Sequence, residues 1–109
     1  MATYEKSKVI ALAESIEYAS GGVVSKQVTK NRAGNITLFS FDKEQGLTEH
    51  TANYDAFVQI LEGKAEIELG GIIHFLEKGD CIIMPANVSH AVRASEPFKM
   101  LLTMIRGEG

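Results

Sequence analysis

The stretch GDCIIMPANVSH, residues 79–90, decides the fold. Gly79-Asp80 has the chemistry of a tight turn, because glycine reaches positive φ without steric cost and aspartate satisfies turn amides. The apolar residues Cys81, Ile82, Ile83 and Met84 then read as a short strand. Pro85-Ala86-Asn87 turns the chain again, since proline holds its own φ and asparagine accepts a left-handed backbone. His90 opens the strand that follows. A histidine at that place either satisfies a core hydrogen bond or lines a pocket, and its surroundings have to decide which.

The same rhythm runs outward in both directions. Runs rich in β-branched and aromatic residues begin at 23 (VVSKQVT), 35 (NITLFSFD), 55 (DAFVQILE), 64 (KAEIEL), 72 (IIHFLE), 81 (CIIM), 89 (SHAVRA) and 99 (KMLLTMI), with NRAG, KEQG, EG, GG, KGD and PAN between them. Short strands joined by tight turns predict an all-β sandwich or barrel. Glu62 and Asp80 read as turn residues, Glu62 in a hairpin closed by Gly63. The one stretch with helical spacing is 7–19, where Val9, Leu12, Ala13 and Ile16 could share a face; a short strand and one helical turn are expected there, stopped by Gly21 and Gly22.

KAEIEL at 64–69 alternates Ala65, Ile67 and Leu69 with Lys64, Glu66 and Glu68, one face core and one face solvent. MLLTMI at 100–105 hardly alternates, as expected of a strand covered on both faces. In a small chain this points to a subunit interface, and so to a homodimer, ahead of enclosure by the barrel's own sheets.

A chain of 109 residues buries one core, so a single domain spans 1–109, its barrel at about 35–105 and its N-terminal strands and turn at 1–34. With 45% hydrophobic and 23% charged residues it folds unaided. The net charge is -3, and the 11 basic residues are dispersed among 14 acidic ones, which argues against nucleic acid or an anionic membrane as partner. Glu5, Lys6 and Lys8 break the first ten residues and no apolar run approaches membrane length, so a cytoplasmic protein is expected. Cys81, the single cysteine, excludes an internal disulfide and reads as a small buried hydrophobe.

Residues 79–90 resemble the second motif of the cupin family: glycine, five residues, proline, one residue, glycine, two residues, histidine, three residues, asparagine. Gly79, Pro85 and His90 fall on it; Asn87 stands for the second glycine and Ala94 for the asparagine. Upstream, GLTEHTANYDAFVQILEG at 46–63 resembles the first motif in degenerate form. His50 and Gly63 match, while Ala52 replaces the second histidine, Ala56 replaces the glutamate, and Gly46 is displaced. The resemblance implies a double-stranded β-helix, a jelly-roll relative with an apolar pocket at one end, and is closest to small single-domain cupins of unassigned role.

In metal-binding cupins the two motifs together hold a divalent ion such as Fe, Mn, Ni or Zn. Here only His50 and His90 remain of that set, and two imidazoles are a poor site for a first-row metal. Asp55 and Gln59 have strand parity pointing away from the pocket. His74 shares a face with Ile72 and Leu76 and reads as a core residue before a ligand. Met84, Met100 and Met104 could line a pocket, but read as core packing first. Three functions follow as expectations: a binding protein holding a small organic ligand at His50, Ala52, Ala56 and His90, with or without a divalent metal weakly ligated by His50 and His90; a cupin enzyme of oxygenase or isomerase type with a reduced ligand set, or a metal-free catalyst using one histidine as base; and a dimeric interaction module with a filled barrel.

Overall fold

The computed structural model describes residues 3–106. After one turn of 3-10 helix at Leu12–Ser15 come the strands β1 (Val23–Asn31), β2 (Gly34–Phe41), β3 (Gly46–His50), β4 (Asp55–Leu69), β5 (Ile72–Glu77), β6 (Cys81–Met84), β7 (His90–Arg93) and β8 (Phe98–Ile105). Every pairing is antiparallel, in the order β1-β2-β8-β4-β7-β3, with β5 and β6 also on β4. This is the expected all-β, curled sheet of a double-stranded β-helix.

The curl comes from β4. Its first half pairs with β8 and β6, its second half with β7 and β5, so one strand belongs to both layers. The runs expected as two strands around a Glu62-Gly63 hairpin are therefore one bent strand. Its register against β8 slips between Ile60 and Glu62. At the bend Gly63 takes φ +77, and a Cβ there would strike the Pro97 carbonyl oxygen and Phe98. Strands commonly change sheets at such irregularities. A second difference is β3, whose single large apolar residue, Leu47, gives no strand signal; pairing with β7, Leu47 opposite Val92, makes it one.

Inward residues of both layers meet in one core, with Phe41 stacked on Phe98 at 4.6 Å between ring centroids and surrounded by Val58, Ile60, Ile67, Met100 and Leu102. Ala65 and Ile67 are buried and Lys64 is exposed, as their alternation predicts. Asp80 accepts from the Glu77 amide at 3.0 Å, the turn role expected of it. Cys81, by contrast, is exposed rather than buried: Ile82 and Met84 hold the inward parity of β6, leaving Cys81 and Ile83 outside.

The N-terminal segment forms no helical face. The one helical turn expected here is the 3-10 turn at Leu12–Ser15, but Val9 is fully exposed, among the described residues no strand precedes β1, and only Ile16 of the four apolar positions is buried. Residues 13–18 instead cross the outer surface of the first layer through its outward side chains. Lys26 Nζ donates to the Ser15 carbonyl at 2.6 Å, Ser40 Oγ to Glu17 at 2.8 Å and Lys99 Nζ to Ala13 at 2.6 Å, while Tyr18 donates to the Glu62 carboxylate at 2.6 Å. Burial, and then Glu62, push the Tyr18 phenol well above its ordinary pKa. The strap covers the outer side of β8, which lies between β2 and β4, at Lys99; farther along that side Leu101 and Thr103 are half-buried and Ile105 is exposed.

If the bend at Gly63 is a packing requirement, Gly63→Ala loses more than conformational freedom. Gly71, at φ +86 with open space around it, is the control. Gly71→Ala is expected to cost about 1 kcal/mol in urea unfolding, and Gly63→Ala at least about 2 kcal/mol more. Equal losses would show that the corner tolerates a side chain.

Candidate functional site

His50 ends β3 and His90 begins β7, and the two are register partners across that pair. Directly opposed residues of an antiparallel pair face the same side, so both imidazoles point to one place although 40 residues separate them. Their Nε2 atoms are 3.0 Å apart and their rings meet edge to face at 67°. The Thr48 carbonyl, 2.7 Å from His50 Nδ1, can only accept. His50 therefore carries its proton on Nδ1 and accepts at Nε2, and His90 Nε2–H donates to it. His90 Nδ1 lies a long 3.4 Å from the Val88 carbonyl. His90 is buried and His50 exposed. Burial, reinforced by the neighbouring His50, holds the His90 pKa below its ordinary 6.5.

The pair sits in the wall of a cavity of about 480 Å³. Ala52 and Ala56 line the same cavity, so the four residues expected at a binding site are brought together. Met84 and Met104 also line it, beyond the packing role expected of them, whereas Met100 is wholly within the core. His74 does not reach the cavity; it lies on β5 opposite Ile67. Asp55 is exposed and accepts from the Ala86 amide at 2.9 Å, and Gln59, opposite Leu101 and Cys81, is on the outer face with it.

Four lining residues were not legible as such: Thr51, Asn53, Tyr54 and Leu102. The first three follow His50 on the connection to β4, and their adjacency to a pocket histidine is the available signal. Leu102 shares the parity of Met100 and Met104. Asn87, readable as a turn residue, has φ +65 and also lines the cavity, its amide donating to the Ala52 carbonyl at 2.7 Å. That bond joins the two motif segments at the mouth. No Asp, Glu, Lys or Arg is among the lining residues.

A family model described as a cupin domain matches residues 37–105. The chain belongs to the cupin family. A conserved protein of unknown function from Streptococcus pyogenes is 33% identical over 100% of this chain and 98% of its own, with a TM-score of 0.91. A cupin 2 conserved barrel domain protein from Leptotrichia buccalis is 37% identical over 89% of this chain but 47% of its own, with a TM-score of 0.86. A cupin superfamily protein from Desulfitobacterium hafniense is 26% identical over 97% of both chains, with a TM-score of 0.89. Among curated proteins, none matches. No helix among the described residues is long and apolar enough to cross a membrane.

The metal chemistry of the family needs donors that this cupin does not assemble. Among the described residues no three His, Cys, Asp or Glu side chains cluster as a metal site. The 3.0 Å Nε2–Nε2 spacing would suit two ligands on one ion at about 2.0–2.1 Å, but methyl groups stand at Ala52 and Ala56. The two imidazoles alone do not fit a first-row ion held against water.

The depressed His90 pKa has a consequence for stability. Below about 6.5 the unfolded histidine takes up a proton that the folded one refuses, so stability is full above that pH and falls as pH drops toward the folded value. Urea unfolding between about pH 7.5 and 5 is expected to show this loss, and His90→Gln to lessen it. An unchanged pH slope in His90→Gln would mean that the pair is not the source.

Proposed function

We propose that this cupin binds a small, uncharged organic molecule in the barrel mouth, oriented by the His50–His90 pair. The observation that carries the reading is a cavity whose wall combines a hydrogen-bonded imidazole pair with methyl, thioether and isobutyl groups and bears no full charge. Such a site rewards an apolar body with one or two polar atoms. A group inserted between the imidazoles has to replace the bond it breaks, accepting from His90 Nε2–H and donating to His50 Nε2. Hydroxyl, amide and protonated carboxyl groups do both. Ionised ligands without such a donor leave His50 Nε2 unpaired.

The second reading is a metal-dependent enzyme of oxygenase or isomerase type with a reduced ligand set, favoured only by the nitrogen spacing. The third, an interaction module with a filled barrel, has the cavity against it.

Two experiments separate these readings. Metal content of untagged protein is expected to be far below stoichiometric for Fe, Mn, Ni and Zn, while the double variant Ala52→His with Ala56→Glu is expected to retain close to one ion per chain. Stoichiometric metal in the wild type that disappears in His50→Ala and His90→Ala would move the enzyme reading to first place. A fragment screen followed by NMR is expected to find uncharged ligands whose affinity falls at least about tenfold in Ala56→Phe, which fills the cavity. Binding unchanged in Ala56→Phe would locate the ligand elsewhere.

A further inference from the structure

Among the described residues, eight large apolar side chains are exposed, and three of them lie on one six-residue strand, β5: Ile72 at 65%, Ile73 at 50% and Phe75 at 76%. This strand is an edge. It pairs only with β4, and no amide from 72 to 76 makes a backbone bond outside that ladder. Natural edge strands are usually guarded by lysine, proline, inward charge or a bulge. IIHFL, residues 72–76, has none of these, and its first charged residue is Glu77. An unguarded edge with apolar side chains offers both a row of backbone hydrogen-bonding groups and a surface to bury.

We propose that β5 pairs with β5 of a second copy, antiparallel about a two-fold axis at His74, joining the second layers of two barrels into one sheet. The parity of the strand limits the register to two-folds centred on a residue, and among these a centre at His74 pairs the outward apolar residues with each other. Ile73 and Phe75 lie opposite Glu68 and Glu66 on the outer face of β4, so they face outward, while His74 opposite the core residue Ile67 faces inward. Directly opposed residues must share a face. Centring on His74 satisfies this and sets Ile73 of each copy opposite Phe75 of the other, an aromatic against a β-branched residue. Two such pairs form an apolar centre, with Glu66 and Glu68 of each copy one strand farther out.

Charge is compatible with that arrangement. The glutamate rows of the two copies are three strand spacings apart, roughly 14 Å, beyond the screening length of roughly 8 Å at physiological salt. Arg93, paired with Glu66 on β7, lies on the same outer face behind them. An apolar centre with a charged rim is the anatomy of a protein interface. The contact is isologous and closes on itself, so it ends at a dimer instead of growing into a fibre. Two six-residue strands make a small interface, at the transient end of the range. This places the dimer contact on β5, away from the strand that the sequence suggested for it, and it does not depend on what occupies the cavity.

Sedimentation at concentrations from about 1 to 500 µM tests the proposal. A twofold rise in mass with concentration is expected for the wild type, abolished in Phe75→Lys and retained in Ile83→Lys, which places the same charge on the exposed outer face of the other layer. Both positions are exposed, and circular dichroism with thermal unfolding confirms that each variant is folded. The register is tested in a Cys81→Ser background: His74→Cys is expected to form a disulfide-linked dimer under mild oxidation, since opposed Cα atoms lie about 4.5–5.5 Å apart, within disulfide reach. A wild type that stays monomeric, a dimer that survives Phe75→Lys, or one abolished by Ile83→Lys alone would overturn the proposal. So would failure of His74→Cys to crosslink while the parent dimer persists.

Discussion

Everything in this barrel depends on one strand changing layers at Gly63. Among the described residues β4 is the only strand paired with four others, and it runs through the interior of both layers, between β8 and β6 in one and between β5 and β7 in the other. Without the bend its second half would run on past β8, and β5 and β7 would have no partner on the far side of the core. The left-handed backbone of Gly63 and the close approach of Pro97 and Phe98 hold that corner. The stacked pair Phe41 and Phe98 sits just inside it, so corner and core reinforce one another.

The functional site follows from the same geometry. β7 lies between β4 and β3, and its register with β3 is what brings His50 to His90. The histidine pair is thus a consequence of strand alignment, while the cavity beside it is a consequence of composition: two alanines where larger, charged groups would otherwise fill the space. The Thr48 carbonyl then decides which nitrogen carries the proton, giving the pair a direction.

Much of this was legible in the sequence because turn residues and parity are local. Gly79, Pro85, Asn87 and His90 marked the second motif, and alternation in KAEIEL assigned its faces correctly. What failed had non-local causes. Glu62-Gly63 reads as a hairpin unless the strand beyond it is known to pair elsewhere, and β3 is a strand only because β7 lies beside it. Cys81 sits in an apolar run whose parity, not its hydrophobicity, sets the outward direction. The single helical turn expected within 7–19 is there, as Leu12–Ser15, but the apolar face read along the segment supplies one buried residue and a row of carbonyls, and a carbonyl's hydrogen-bonding partner leaves no trace in side-chain periodicity. Tyr54 and its neighbours lie on a connection, where no period exists to be read.

The position of β8 also orders events in time. β2 and β4 are finished by residue 69, yet they are not neighbours; the strand that joins them is β8, which ends at Ile105. The strap at residues 13–18 likewise waits for Lys99, 86 positions after the carbonyl it reaches. During synthesis the first layer therefore stays open until the last strand has emerged, with the inner faces of β2 and β4 bare. Chains whose contacts are this distant in sequence close slowly, and the interval is when a nascent barrel of this kind is most exposed to chaperones and to its neighbours.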